Sequence, residues 1–140
     1  MTDRFAFYGS LRRGCYNHYR MFGGLKDGAC YVDTIRVPGF KMIDLGQYPA
    51  VFRADKGEIT IELYRIPDQY IRRRIDGMEL GAGYKQTVIE HDGCQYLLYI
   101  ITPPSLFERR YPEVPSGDWV SYQNITHEIV DGNTLRDFAK

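Results

Sequence analysis

The most constraining feature of the sequence is a series of short segments rich in β-branched and aromatic residues, each bounded by residues that favour turns. Such segments are typical of β-strands, whereas a helix needs a longer stretch with apolar residues three or four positions apart. The predicted strands are RFAFY (4–8), ACYVDTIRV (29–37), FKMID (40–44), AVFRA (50–54), EITIELYRI (58–66), KQTVIEH (85–91) and CQYLLYIIT (94–102). The sequence therefore predicts a domain in which β-structure dominates.

The connections between these segments are short. Pro38-Gly39 and Asp55-Lys56-Gly57 are residue combinations that favour turns. Asp92-Gly93 is a strong signal for a two-residue hairpin. The segments 40–44 and 50–54 are expected to form a bent pair around LGQYP. Because tight turns join successive strands, the strand pairing is expected to be mixed and mainly antiparallel.

One helix is well marked. Pro67 suits the first helical position, Asp68 favours the positive end of a helix, and apolar residues follow at helical spacing, namely Ile71, Ile75 and Met78. The helix is expected to end, or to be distorted, within the glycines Gly77, Gly81 and Gly83. Shorter helical turns are predicted after Asn17 and after Ser116-Gly117-Asp118.

These elements predict an α+β fold, a small, mixed and mainly antiparallel β-barrel with one main flanking helix. The chain has 140 residues, which suits one domain with a single core. We assign residues 1–124 to this domain and regard 125–140 as its polar C-terminal tail.

Composition excludes several classes of function. Lys+Arg and Asp+Glu number 18 each, so no basic excess indicates a nucleic-acid partner. No apolar run is long enough to span a membrane, and MTDRFAFYGS lacks an apolar segment of the length that a secretory signal needs, so no such signal is expected. The oligomeric state is left open.

The cysteines and histidines argue against disulfides and metals. Three cysteines without a CxxC spacing are typical of free thiols in a reducing compartment, so a cytoplasmic location is expected. Three widely separated histidines predict no metal site. Cys15 and His18 are close in sequence, but no third group is evident to orient a thiol nucleophile.

Two stretches carry candidate chemistry. In YGSL (8–11), Gly9 permits unusual backbone angles, so the amides that follow can converge on an anion; a plain turn explains the same residues. In RIDGMELGAGY (74–84), Glu79 is expected just past the helix, where an apolar, glycine-rich turn would raise its pKa and favour proton transfer. A frayed surface helix end is the alternative. Asp76 is expected to satisfy nearby backbone donors.

A third pair of stretches, LGQYPAVF (45–52) and SGDWVSYQ (116–123), combines aromatic with small or rigid residues, as pocket rims do. Ordinary packing explains them equally well. Twelve tyrosines among 140 residues suit the lining of a polar-ligand pocket, although half-buried positions on a sheet account for tyrosines too.

Taken in order, YGSLRRGCYNH, YPAV, IELYRI, IDGMELGAGY and GDWVSY resemble the gamma-glutamylcyclotransferase-like family, which includes AIG2-like proteins and gamma-glutamylamine cyclotransferases. The resemblance covers most of the chain. It implies that Glu79 is the catalytic acid/base and that the backbone of Tyr8, Gly9, Ser10 and Leu11 binds substrate. Tyr84 and Tyr48 are further substrate-binding candidates.

The resemblance also implies the reaction. The α-amine of a gamma-glutamyl amine or related amide attacks its own γ-carbonyl, which gives 5-oxoproline and releases the amine. The expected partner is thus a small gamma-glutamyl substrate, with no cofactor and no metal. Arg12 and Arg13 are interpreted as surface charges of the loop.

The chain departs from the usual family pattern at Glu79-Leu80-Gly81 and at Tyr84-Lys85-Gln86, where Glu-Gly and Tyr-x-Arg are common. These departures motivate an alternative hypothesis, a non-catalytic protein that keeps the family pocket and binds a small molecule. A protein-interaction function of the tyrosine-rich surface is a third hypothesis.

Overall fold

The computed structural model describes residues 2–12, 15, 18, 21–22, 29–102 and 111–123. Within them the chain forms five strands and one main helix. In chain order these are β1 (Arg4–Phe7), β2 (Cys30–Asp44), β3 (Pro49–Arg65), α1 (Gln69–Gly81), β4 (Lys85–His91) and β5 (Cys94–Ile100). No helix in these ranges has the length and apolar character needed to cross a membrane.

The strands form one mixed sheet in the order β2-β3-β1-β5-β4. Only the β1–β5 pair is parallel among the strand pairs described. The sheet curls until its edge strands approach each other, since His91 Nε2 in β4 lies 3.4 Å from Asp33 Oδ2 in β2. The predicted α+β class, with mainly antiparallel strands and one main flanking helix, is confirmed. The barrel is curled and open at this seam, with no β2–β4 ladder in the described ranges.

β2 and β3 form one long, bent hairpin, and this corrects two of the predicted turns. The segment 45–48 makes the hairpin turn, as expected from LGQYP. Pro38-Gly39 is not a turn, because the pairing shifts register there and β2 continues. Residues 55–57 likewise lie within β3. A Cβ on Gly57 would lie 2.5 Å from the carbonyl oxygen of Phe40, so this glycine permits close backbone approach inside the bulge.

The second hairpin agrees with the sequence. β4 and β5 pair in antiparallel register from Lys85↔Ile100 to His91↔Cys94. Asp92 and Gly93 both have positive φ, as a two-residue primed turn requires.

Helix α1 begins two residues later than predicted and ends at one of the three glycines that were expected to end or distort it. Asp68 is the N-cap, and its side chain accepts a 3.0 Å hydrogen bond from the Ile71 amide, so Pro67 precedes the helix instead of opening it. The helix passes through Gly77 and ends at Gly81. Buried Ile71 and Ile75 hold it against the sheet.

The core has two parts, one on each face of the curled sheet. β1 and the residue after it contribute to both parts because side chains alternate, with Phe5 and Phe7 on one face and Ala6 and Tyr8 on the other. The first part includes the helix residues, and the second includes Trp119.

The C-terminal elements are described in part. A helical turn over 119–123 follows Ser116-Gly117-Asp118 as predicted, and Asp118 accepts a hydrogen bond from the Ser121 amide at 3.3 Å. His18, Met21 and Phe22 are helical, whereas Asn17 lies outside the described residues. The proposed tail at 125–140 lies outside them too.

Candidate functional site

A cavity of about 480 Å³ opens where the end of β1, the hairpin turn at 45–48 and the last turn of α1 meet. The loop 8–11 lines it on one side. Tyr48, Glu79 and Tyr84 line it from the other elements. The structure thus brings together all the site residues predicted from sequence, although they lie in separate parts of the chain.

The loop 8–11 is shaped by a close contact with the hairpin. A Cβ on Gly9 would lie 2.9 Å from Cδ and Cγ of Pro49, so glycine allows β1 to leave the sheet against this proline. The loop then turns, with the Arg12 amide donating to the Gly9 carbonyl at 3.0 Å. Within the described part of the chain, the amides of Gly9 and Leu11 have no acceptor, so they can donate to a ligand.

Arg12 corrects the expectation of a surface charge. Its side chain is buried, and Nε lies 2.9 Å from Glu62 Oε2 while Nη1 lies 2.8 Å from Asp118 Oδ1. Burial alone would lower the pKa of Arg12, but the hydrogen bonds to Glu62 and Asp118 raise it above its usual value. Tyr64 donates to the second oxygen of Glu62 at 2.7 Å. Arg12 therefore ties the loop to β3 and to the C-terminal helical turn. Arg13 lies outside the described residues.

Glu79 lies in the last turn of α1, not past the helix as predicted. Its carboxylate is half-buried at the cavity wall, and desolvation raises its pKa from 4.5 to about 7. No hydrogen bond or ion pair engages this carboxylate from any residue that the structure describes. A carboxyl group with this pKa exchanges protons readily near neutrality.

Three tyrosines surround Glu79, and each hydroxyl has a fixed acceptor. Tyr8 donates to the Tyr99 carbonyl at 2.7 Å, and Tyr84 donates to the Pro49 carbonyl at 2.9 Å. Burial raises the pKa of Tyr8, Tyr84 and Tyr99, and the nearby charge of Glu79 raises it further by a smaller amount. These phenols are therefore neutral near physiological pH and leave Glu79 as the proton acceptor.

The third tyrosine, Tyr99, connects β5 to the C-terminal half of α1. The Tyr99 hydroxyl donates to Asp76 Oδ1 at 2.8 Å, and Gln86 Nε2 donates to the same oxygen at 2.5 Å. Asp76 is structural, as predicted, but its donors are side chains and not backbone amides. Tyr99 also lines the cavity and was missed from sequence. Its position in an apolar strand segment carries no signal beyond that of a core residue.

Of the two remaining predicted stretches, LGQYPAVF contributes to the cavity and SGDWVSYQ contributes to the core. Gln47, Tyr48 and Pro49 of LGQYPAVF line the cavity. By contrast, Trp119 of SGDWVSYQ is buried in the second part of the core, and Asp118 is linked to the loop through Arg12. The packing interpretation is therefore correct for the second stretch.

The cysteine and metal alternatives gain no support. Burial raises the pKa of the Cys15 thiol, which disfavours a nucleophilic thiolate. His18 donates through Nδ1 to the Leu11 carbonyl at 2.8 Å. The three cysteines are free thiols. Across the described ranges, no group of three acidic, histidine or cysteine side chains is arranged to hold a metal ion.

A family model described as gamma-glutamyl cyclotransferase, AIG2-like, matches residues 5–121. This range contains both the loop 8–11 and Glu79. No curated protein sequence matches the chain significantly.

Solved structures share the fold at low sequence identity. An uncharacterized protein, PH0828, from Pyrococcus horikoshii is 23% identical with a TM-score of 0.72, over 91% of this chain and 98% of its own. An AIG2-like protein from Mus musculus is 24% identical with a TM-score of 0.62, over 83% of this chain and 88% of its own. The Escherichia coli protein ytfP is 24% identical with a TM-score of 0.61, over 83% of this chain and 95% of its own.

Proposed function

Because the chain belongs to the AIG2-like gamma-glutamyl cyclotransferase family, we propose that it cyclises a gamma-glutamyl amine or related amide to 5-oxoproline with release of the amine. The observation that carries this proposal is the placement of Glu79. Its carboxylate, which the described residues leave without a partner, shares a cavity with the amides of the loop 8–11. The cavity thus offers a proton acceptor and anion-binding donors to one small molecule.

Glu79 acts as general acid/base in this proposal. As the α-amine of the substrate attacks the γ-carbonyl, Glu79 accepts the amine proton. It then gives that proton to the leaving nitrogen as the original amide bond breaks. A pKa of about 7 suits both transfers, because neither protonation state is strongly preferred near neutral pH.

The loop 8–11 acts through its backbone. The amides of Gly9 and Leu11 donate hydrogen bonds to an anionic oxygen of the substrate, which is either its α-carboxylate or the oxyanion formed at the γ-carbon. Ser10 is not required as a nucleophile. Tyr8, Tyr48 and Tyr84 shape the cavity and favour the bent substrate conformation that ring closure needs.

The proposed reaction is an intramolecular acyl transfer, in which one C–N bond forms, the original amide C–N bond breaks and Glu79 relays one proton, so the proposal assigns no step to a metal or organic cofactor. The free thiols are compatible with a reducing compartment, and we propose a cytoplasmic location.

The test is incubation with a panel of gamma-glutamyl amines, amides and dipeptides, followed by quantification of 5-oxoproline. We expect the wild type to form 5-oxoproline from at least one amine or amide. This activity should be lost in Glu79→Gln and kept in Glu90→Gln. Glu90 is a matched control, since it is an exposed glutamate on β4. Absence of product from the whole panel contradicts the proposal.

The same samples test the alternative of binding without turnover. Thermal stabilisation by a panel compound, unchanged in Glu79→Gln and without product, would support that alternative. Absence of any stabilisation and any product would instead favour the protein-interaction hypothesis.

A further inference from the structure

The stretch GDWVSY (117–122) is a sequence motif that the proposed reaction does not use. None of its residues is among the described residues that line the cavity. The segment is nevertheless firmly anchored, because Trp119 is buried and the Thr60 amide of β3 donates to the Gly117 carbonyl at 2.9 Å. A Cβ on Gly117 would overlap the carbonyl oxygen of Glu58, so glycine permits this close approach to β3.

Asp118 connects the segment to one wall of the cavity. Its Oδ1 accepts a 2.8 Å hydrogen bond from Arg12 Nη1. The amide of Arg12 closes the turn of the loop 8–11, since it donates to the Gly9 carbonyl at 3.0 Å. Asp118 therefore acts on this loop through a residue that is bonded to the loop by its own backbone.

Tyr122 connects the segment to a second wall, the hairpin turn 45–48. Its hydroxyl donates to Asp44 Oδ2 at 3.0 Å, and the other oxygen of Asp44 accepts from the Gly46 amide at 2.7 Å. Gly46 lies within the turn that brings Tyr48 to the cavity. Tyr122 therefore acts on this turn through the carboxylate that caps it.

The two connections leave from a single helical turn. The Tyr122 amide donates to the Asp118 carbonyl at 2.9 Å, so the two side chains have a fixed relation to each other. The two walls also touch directly, because a Cβ on Gly9 would lie 2.9 Å from Pro49 Cδ and Cγ. A displacement at either connection therefore changes the position of one wall against the other.

We infer that Asp118 and Tyr122 are positioning residues, which fix the loop 8–11 and the turn 45–48 relative to each other. The effect on turnover rests on the proposed function, whereas the coupling of the two walls is a property of the fold. Glu79 lies on α1, outside both walls. Loosening the walls is therefore expected to weaken substrate binding more than the proton transfer.

Hydrogen exchange of single amides, followed by NMR, tests the coupling without a substrate. The amides of Arg12 and Gly46 are the reporters, one for each wall. Asp118→Asn keeps a capping side chain and removes the charge, and Tyr122→Phe removes the hydroxyl. We expect each variant to speed exchange at its own wall by about two- to tenfold. We also expect each to speed exchange at the other wall, by about twofold or more, because one helical turn holds both.

Two control variants and one internal reference accompany this experiment. Glu113→Gln removes an exposed ion pair with Lys41, and Tyr70→Phe removes an exposed hydroxyl. Both controls are expected to leave the two reporters unchanged. The amides of β5, an interior strand of the sheet, report on global unfolding. An increase at the reporters that exceeds the increase in β5 is therefore local to the walls.

Kinetics with a gamma-glutamyl amide that the wild type converts test the consequence for turnover. Asp118→Asn and Tyr122→Phe are each expected to raise KM by about two- to tenfold, with a smaller change in kcat. The double variant is expected to raise KM by less than the product of the two single effects. Once one connection is lost, the walls already move independently, so losing the second costs less.

Two outcomes overturn the inference while the proposed function stands. One is faster exchange confined to each variant's own wall, or no change in exchange at all. The other is a KM that both variants leave unchanged or that the double variant raises by the full product. If no gamma-glutamyl compound is turned over, the proposed function fails and hydrogen exchange alone decides. Faster exchange at both walls in each variant then supports the inference, and any other result overturns it.

Discussion

Arg12 Nε lies 2.9 Å from Glu62 Oε2, and both side chains are almost fully buried. Glu62 is paired with Phe7 across the β1–β3 ladder, so the ion pair joins Arg12, which follows the end of the loop 8–11, to the strand beside β1. Asp118 adds a second bond from the C-terminal helical turn. Two distant parts of the chain thereby hold the residue that follows the cavity-lining loop 8–11.

Arg12→Met is expected to lower the free energy of unfolding by about 3–5 kcal/mol, because it leaves Glu62 buried without its cation. Urea denaturation measures this change. Arg65→Met is the control, since the Arg65–Asp3 pair is exposed and its loss is expected to cost about 0–1 kcal/mol. Similar values for the two variants would show that the buried pair does not hold the loop.

Gly9→Ala is expected to displace the loop 8–11, because its Cβ would lie 2.9 Å from two Pro49 atoms. We expect a loss of about 1–3 kcal/mol in unfolding free energy and a higher KM for any substrate of the cavity. Gly77→Ala is the matched control. Its Cβ meets nothing within 4 Å, so helix propensity predicts a gain of up to about 1 kcal/mol. A neutral Gly9→Ala would refute the close-approach argument.

Stability is expected to depend on pH through Glu79. Burial raises its folded-state pKa to about 7 from an ordinary 4.5, so the folded protein binds this proton more tightly than the unfolded chain. The resulting stabilisation is complete below about pH 4.5 and is lost as the pH rises to 7. Unfolding free energies of the wild type and Glu79→Gln, compared across this range, should diverge accordingly. Parallel curves would mean that Glu79 is not desolvated.

Tyr99→Phe removes the hydroxyl that donates to Asp76. We expect a loss of about 1–2 kcal/mol in unfolding free energy, since Asp76 keeps its bond from Gln86. Tyr70→Phe is the control and should change stability little, because Tyr70 is largely exposed. Equal stability of the two variants would contradict the conclusion that the Tyr99–Asp76 hydrogen bond stabilises the packing of α1 against β5.

Local chemistry made part of the fold predictable. Asp92-Gly93 specifies a primed turn by itself, and the turn is present with both residues at positive φ. Asp68 and the spacing of Ile71 and Ile75 likewise locate α1 to within a residue or two. In each case the decisive interactions lie within a few residues of the signal.

The bulge in the β2–β3 hairpin was not predictable for the opposite reason. Pro38-Gly39 and Gly57 read as turns because their backbone preferences are the same in turns and bulges. The long antiparallel pairing on both sides of these residues keeps the strands continuous. That pairing is a tertiary effect with no local signature.

The candidate site was also predictable only in part, and the features that were missed again depend on residues distant in sequence. Glu79 and the loop 8–11 were identified by their order along the chain, which the family pattern carries. The buried state of Arg12 was missed because its partners, Glu62 and Asp118, are 50 and 106 residues away. Asp76 was recognised as structural, but its donor Tyr99 comes from a distant strand.

The most direct test of the central claim is 5-oxoproline formation by Glu79→Gln compared with the wild type, using a gamma-glutamyl amine that the wild type converts. The substitution keeps the size of the side chain and removes its capacity to accept a proton. We expect kcat to fall by about a hundredfold or more while the variant remains folded. Wild-type turnover by Glu79→Gln would contradict the account.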